Sequence, residues 1–440
     1  MTHRKFEARG LAVPSGRISR LARFGTMATG IAGGMLVDGA RHLARGEKPR
    51  ASDLLLTPAN AMRVTRQLAH LRGAAMKIGQ LMSMDAGEML PPELSEILGH
   101  LRAEAHYMPE KQLRAVLTLQ WGKNWMERFE SFPFTPIAAA SIGQVHRART
   151  RDGRDLAIKI QYPGVRHSID SDVNNVASLL KMSGIMPKDI DVVPMLAEAK
   201  RQLHEEADYT REGQCLARFG ALLEGETAFV VPRLHEDLST ASVLAMDHVS
   251  GVPIESLVSA DQEVRDRVMR LLIELLFREL FEFRMMQTDP NFANYLYDTT
   301  SQRVVLLDFG ATREFPEEMT EQFRRLMRAG LDGDRAAVRA ACLDIGFFTE
   351  TTPERYQNGV LDMFALSMEP IRNGGVYDFS NSDVAMEMRD MGMALGAERE
   401  FFHIPPMDTL FLQRKFGGVY MLASRLKARV DVRAAMEAHL

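Results

Sequence analysis

Val304-Val305-Leu306-Leu307-Asp308-Phe309-Gly310 sets a carboxylate at the end of an apolar run, and the glycine that follows frees the backbone to turn away. An Asp delivered in this way can hold Mg²⁺ against nucleotide phosphates, because a hard cation prefers carboxylate oxygen. Nineteen residues before it stands Asp289, and Gln287-Thr288-Asp289-Pro290-Asn291-Phe292-Ala293-Asn294 places Asn294 five positions further on. Such a pair can supply a carboxylate near an attacking group and a second oxygen ligand for the metal. Leu156-Ala157-Ile158-Lys159 ends another apolar run on a cation that can contact phosphates while a carboxylate holds it. A strand lysine alone is usually a surface residue. The order Lys159, Asp289, Asn294, Asp308 is what points to nucleotide chemistry.

These groups need strand ends and loops to position them. Residues 144–149 and 156–161 read as two strands joined by the turn Arg151-Asp152-Gly153-Arg154. Residues 166–223 have helical spacing, and short strands resume near 229–231 and 242–247. Beyond Gly251 the chain reads as mostly helical, apart from a strand at 303–307. Ahead of the strands, Val64, Leu68, Leu71, Ala75, Ile78 and Met82 form one apolar helical stripe, ended by Pro91-Pro92. A short helix is expected near 109–119. The expected fold class is α+β. Its parts are a basic, Gly-containing arm (1–50), a helical extension (51–130), a small mixed lobe (131–250) and a larger helical lobe (251–440).

Composition narrows the function classes. The 440 residues are 46% hydrophobic and 25% charged, which fits a globular chain rather than a disordered or fibrous one. The 28 methionines are read as adaptable core filling. Cys215 and Cys342 are far apart and outside any CxxC or Cys/His cluster, so neither a disulfide framework nor a zinc site is expected. Residues 1–50 carry ten Lys or Arg against three acids, although the whole chain has a net charge of −4. A basic arm on an acidic body suits an anionic partner, with a membrane surface favoured and a solvated face the bland alternative. Nucleic acid is not expected, because aromatic interleaving and reader motifs are missing. No transmembrane segment is expected: the uncharged stretch 24–37 falls short of the roughly 20 apolar residues a span takes.

Two further motifs carry a resemblance. Lys77-Ile78-Gly79-Gln80 lies on the helix ahead of the small lobe. Ala138-Ala139-Ala140-Ser141-Ile142-Gly143-Gln144-Val145-His146 stands where a glycine-rich phosphate loop is expected. With Glu206-Ala207-Asp208-Tyr209-Thr210-Arg211-Glu212 and residues 287–294, they resemble the UbiB family of atypical kinases, from about residue 60 to about 425. That family serves ubiquinone (coenzyme Q) biosynthesis in bacteria and mitochondria.

The resemblance implies a two-lobed protein-kinase-like fold with an N-terminal helical extension, using ATP and Mg²⁺. It assigns Lys159 to the phosphates with Glu212 as its partner, Asn294 and Asp308 to magnesium, and Asp289 to the catalytic-loop position. Ala138, Ala139, Ala140 and Ser141 would face the phosphates, and Met246, Asp247, His248 and Val249 would meet adenine through their backbone. Lys77 and Gln80, three apart and so on one helix face, would reach over the active site near Glu206 and Asp208, with Lys77 taking part in catalysis. Without the resemblance, Lys77 reads as a solvated helix residue.

Several features depart from protein kinases. Alanines replace loop glycines, so the loop should hold nucleotide differently. No His-Arg-Asp precedes the catalytic-loop Asp, and no Ala-Pro-Glu follows Asp308. The helix bearing Lys77 should occupy the space a peptide substrate needs. The function implied is an ATPase supporting ubiquinone biosynthesis at a membrane surface, cytoplasmic or peripheral on an inner membrane face. A small-molecule or lipid kinase and an ATP-binding scaffold with little turnover are the alternatives. Ubiquinone-biosynthesis proteins or prenylated precursors are the partners implied, and a homodimer is left open.

Overall fold

The computed structural model describes residues 107–140, 142–183, 193–372, 374–397, 403 and 405–440. Lys77, Gln80, Ser141, the basic arm and the apolar helical stripe lie outside the described residues. Two compact units emerge. The first takes the described residues up to Gly213 together with Leu234–His248; the second takes Gln214–Arg233 and Val249–Leu440.

The first unit is built on an antiparallel sheet of β1 (Phe129–Ser131), β3 (Gly143–Thr150), β4 (Asp155–Gln161) and β6 (Val243–Asp247), with β2 (Ala138–Ala139) also paired to β3. Side chains alternate along β4. Leu156, Ile158 and Ile160 point to one face and Lys159 to the other. The apolar face is covered by α1 (Glu110–Trp121), whose Leu113, Leu117 and Trp121 recur every four residues. Trp125, Phe129 and Phe132 complete this core through edge-on ring contacts, with Trp125 and Phe132 centroids 5.1 Å apart. The packed helices α2 (Val165–Ser183) and α3 (Val193–Glu206) follow, and then α4 (Tyr209–Leu222).

The second unit contains more strand than the sequence suggests. Beside β10 (Arg303–Leu306), which pairs in parallel with β5 (Phe229–Val230), it has β7 (Val252–Pro253), β8 (Met285–Gln287), β9 (Tyr295–Asp298) and β11 (Thr312–Glu314). Strands of two to four residues are too short to display alternation, so periodicity could not find them. They nevertheless matter for the site. β8 pairs with β11 and β9 with β10, tying the segment around Asp289 to the segment around Asp308. Helices form the rest: α5 (Gln262–Phe281), α6 (Glu317–Asp332), α7 (Arg335–Ile345), α8 (Glu354–Ser367), α9 (Val384–Ala397), α10 (Met407–Leu426) and α11 (Val432–Glu437). Among the described residues, no helix is long and apolar enough to cross a membrane. Both cysteines are buried, and Met108, Met269, Met285, Met286 and Met436 are fully buried, as core-filling methionines should be.

Candidate active site

In the first unit, Lys159 stands on the face of β4 opposite the core, 8% exposed, and its Nζ donates to both Glu212 carboxylate oxygens at 2.8 and 2.9 Å. Glu212 sits in the first turn of α4 and is 1% exposed. A charge pair this deep loses much hydration, and it persists because both partners are hydrogen-bonded. The Tyr209 ring lies 5.2 Å from the same ammonium. The start of α4 is itself fixed: the Asp208 carboxylate accepts from the N–H groups of Thr210 and Arg211, each at 3.2 Å. Asp208 therefore serves the helix N-terminus that carries Glu212, a role a sequence reading could have drawn from an Asp at that position. Glu206 ends α3 and is half-buried.

The alanine-rich segment is a hairpin rather than an open loop. Ala138 and Ala139 pair with Val145 and Gln144, and the Ala140 N–H donates to the Gly143 carbonyl at 2.9 Å. Alanine's restricted backbone suits this extended pairing, which the reading of residues 138–140 as a loop overlooked. Gly143 is required by space. A Cβ there would lie 2.5 Å from the Ile160 carbonyl oxygen and 2.7 Å from the Tyr209 hydroxyl, so glycine lets the hairpin close onto both β4 and α4. Behind it, buried Gln144 accepts from the Met108 N–H at 2.7 Å and donates through Nε2 to His146 Nε2 at 2.7 Å. His146 Nδ1 then donates to the Pro133 carbonyl at 2.9 Å. Burial lowers the His146 pKa, and this relay requires its neutral form.

Met246 and Asp247 end β6, with Asp247 accepting from His235 at 2.7 Å. The His248 N–H donates to the Asp155 carbonyl at 2.9 Å, so that amide is spent inside its own sheet. Val249 is the first residue of this stretch assigned to the second unit.

In the second unit, Asp289, Asn294 and Asp308 are brought together. Asn294 Nδ2 donates to the Asp289 carboxylate at 3.2 Å, and the Asn294 carbonyl accepts from the Leu307 N–H at 2.8 Å. Asp308 has a φ of 57°, a left-handed conformation uncommon outside glycine but tolerated by Asp, and its carboxylate accepts from the Gly310 N–H at 3.1 Å. Thr288 donates its N–H and hydroxyl to the Ala311 carbonyl, at 3.2 and 2.8 Å. Phe309 packs against Phe219, with ring centroids 4.9 Å apart. The donor chemistry fits magnesium. Asn294 spends its amide N–H on Asp289, which leaves its side-chain oxygen for a cation, and Asp308 adds a carboxylate one residue beyond Leu307, whose N–H bonds to the Asn294 carbonyl. Magnesium needs few protein ligands because it keeps water and phosphate oxygens.

Helix α10 supplies residues the sequence reading did not assign to the site. Arg414 donates to Asp289 at 3.3 Å, and Lys415 donates to Tyr295 at 2.8 Å and to Gln287 at 3.3 Å. Gly418 faces Pro290, where a Cβ would lie 2.2 Å from the proline Cβ. A signal existed: Lys415 interrupts the buried stripe Phe411, Leu412, Val419 and Leu422 at helical spacing.

Known proteins match most of the chain. The family profile of the ABC1 atypical kinase-like domain matches residues 100–342. The chain is 38% identical over 423 residues to the mitochondrial atypical kinase COQ8B of Rattus norvegicus, covering 96% of this chain and 80% of the relative. It is 36% identical over 423 residues to the mitochondrial atypical kinase COQ8 of Saccharomyces cerevisiae, covering 95% and 84%. Among solved structures, Rv3197 from Mycobacterium tuberculosis, determined in complex with erythromycin, aligns with a TM-score of 0.62 at 25% identity, covering 87% of this chain and 96% of the other. The kinase-like α+β fold is shared.

Proposed function

The chain belongs to the UbiB family of ABC1-type atypical kinases, a family of enzymes, and on that premise we propose that it is a Mg-ATP hydrolase acting in ubiquinone biosynthesis at a membrane surface. The observation that carries this reading is the intact set of phosphate-handling groups: a buried, doubly hydrogen-bonded Lys159–Glu212 pair and the interlocked Asp289, Asn294 and Asp308. A chain that had lost turnover would have little reason to keep charges at such desolvation cost.

Lys159 holds the α- and β-phosphates while Glu212 fixes its ammonium. Asn294 and Asp308 hold magnesium, which when bound neutralises charge developing on the transferred phosphoryl group. Asp289 orients the attacking water, and Arg414 steadies its carboxylate. The Ala138–Ala140 hairpin narrows the approach of backbone N–H groups to phosphate, which favours hydrolysis or a small acceptor over protein phosphorylation. The backbone of Met246–Val249 meets adenine, and Lys77 and Gln80 reach over the site. Prenylated precursors and ubiquinone-biosynthesis proteins are the partners, and the basic arm meets anionic lipid.

Phosphate release by the purified protein, with and without anionic liposomes, tests this. Asp308→Asn should reduce release about 100- to 1000-fold, and liposomes should stimulate the wild type. A phosphorylated small molecule or lipid in place of free phosphate would favour the kinase alternative. No turnover under any condition, with ATP still bound, would favour the scaffold.

A further inference from the structure

Lys415 is 3% exposed, and its ammonium lies 3.5 Å from Glu279, itself 2% exposed on α5. This second buried Lys–Glu pair lies outside the set of residues that handle phosphate. Its neighbours give it a purpose. Lys415 donates to Gln287, two residues before Asp289, and to the hydroxyl of Tyr295, the residue immediately after Asn294. Gln287 in turn donates through Nε2 to the Asp308 backbone carbonyl at 3.3 Å. One ammonium thus reaches both ends of the 288–294 loop and, through a single glutamine, the left-handed Asp308.

We infer that Lys415, with Glu279 as its counter-charge, is a positioning residue that sets Asp289, Asn294 and Asp308 relative to one another. This rests on the phosphate-handling roles proposed above. The arrangement is economical in geometry: the loop residues 288–294 belong to no long element, and β8 and β9 on either side hold three and four residues. Backbone pairing alone leaves such a loop free to shift, whereas one charged anchor bonded to both ends fixes its span. Burial opposes the charge on Lys415, but Glu279 and Tyr295 more than offset it and keep the ammonium protonated. The pair costs hydration for little gain in stability. Its value lies in fixing geometry, to which phosphoryl transfer is sensitive.

The test compares wild type, Lys415→Met, the Glu279→Gln/Lys415→Met double variant and Tyr295→Phe. The readouts are phosphate release from Mg-ATP, ATP affinity, melting temperature and amide hydrogen exchange across 285–311. Lys415→Met should lower turnover about 10- to 100-fold while ATP affinity stays within about threefold. Exchange should quicken at 287–295 and 306–311 but not in α5. The double variant should recover the melting temperature without recovering turnover, which separates positioning from stability. Should both Lys415 variants fail to fold, Tyr295→Phe removes one anchor and leaves the charges paired. It should lower turnover about threefold to tenfold. Wild-type exchange and turnover in the folded double variant, or in Tyr295→Phe where the others do not fold, would overturn the inference. A wild type that binds ATP without releasing phosphate would overturn hydrolysis alone. Faster loop exchange in Lys415→Met would then still uphold the anchor.

Discussion

Two buried lysines, each beside a buried glutamate, divide the labour of this protein differently. Lys159 and Glu212 form a two-point hydrogen-bonded pair at 2.8 and 2.9 Å on the sheet face opposite the core. Lys415 and Glu279 sit 3.5 Å apart among Leu272, Leu276 and Leu422, and the lysine spends its hydrogen bonds on Tyr295 and Gln287 instead. In the first pair the glutamate restrains the cation for a ligand. In the second the glutamate balances a cation that restrains the protein. A buried charge pair is therefore a weak stability device in both places, and its use is read from where the remaining hydrogen bonds go.

The largest effect expected from breaking this comparison comes from Lys159→Met. It removes the ammonium that donates to both oxygens of Glu212, which is 1% exposed, at a cost of about 3–5 kcal/mol, and should reduce turnover about 100- to 1000-fold with weakened ATP binding. Denaturant midpoints and nucleotide titration measure the two parts. The contrast with Lys415→Met is sharp: both variants should lose turnover, but only the Lys159 variant should lose ATP affinity. Equal losses of affinity would erase the distinction.

Next in size is a pH effect confined to the second pair. Burial raises the Glu279 pKa from 4.5 to about 7 against the pull of Lys415. The folded state then binds more protons than the unfolded chain between those values. The associated stability is complete below pH 4.5 and is lost as pH rises through about 7, a change of about 3 kcal/mol. Glu279→Gln does not titrate, so urea unfolding at pH 5 and pH 8 should show this variant gaining on wild type by roughly that amount. A difference that is the same at both pH values would mean that Glu279 stays ionised throughout.

The sequence made the first pair legible and left the second dark, for physical reasons. Lys159 lies within a strand whose alternation is visible, and Glu212 belongs to a run long enough to carry family identity. Asp289, Asn294 and Asp308 were legible through spacing. Lys415 needed tertiary information: its partners Glu279, Gln287 and Tyr295 are 136, 128 and 120 residues away. In the sequence it counts only as one more charge in the C-terminal segment. The short strands β8, β9 and β11 were equally hidden, because their stability comes from pairing rather than from local pattern.

A smaller, charge-free perturbation probes the same loop. Gly418→Ala places a Cβ 2.2 Å from Pro290, so α10 or the loop must shift. Overpacking of this kind costs about 1–3 kcal/mol, and turnover should fall more than ATP affinity, as in Lys415→Met. If Gly418→Ala melts lower yet turns over normally, the loop is less sensitive to position than the anchor requires.

The smallest effect belongs to His146 in the first unit, and its pH dependence has the opposite sign to that of Glu279. Burial lowers the His146 pKa, so the stability tied to its neutral form is present above the ordinary value of 6.5 and is lost as pH falls. Protonation would make Nε2 a donor facing the Gln144 amide nitrogen. Gln144 would then have to turn its oxygen toward the imidazole and away from the Met108 N–H. His146→Leu removes this titration and orphans Gln144, at about 1–3 kcal/mol. Acidification from pH 7.5 to 5.5 should therefore destabilise wild type more than His146→Leu, when both carry Glu279→Gln to silence the opposing group. Hydrogen exchange at the Met108 amide should quicken on acidification in the His146 protein and stay nearly constant in the leucine variant. Constant exchange in both would show that Gln144 holds Met108 independently of His146, reducing the relay to two separate hydrogen bonds.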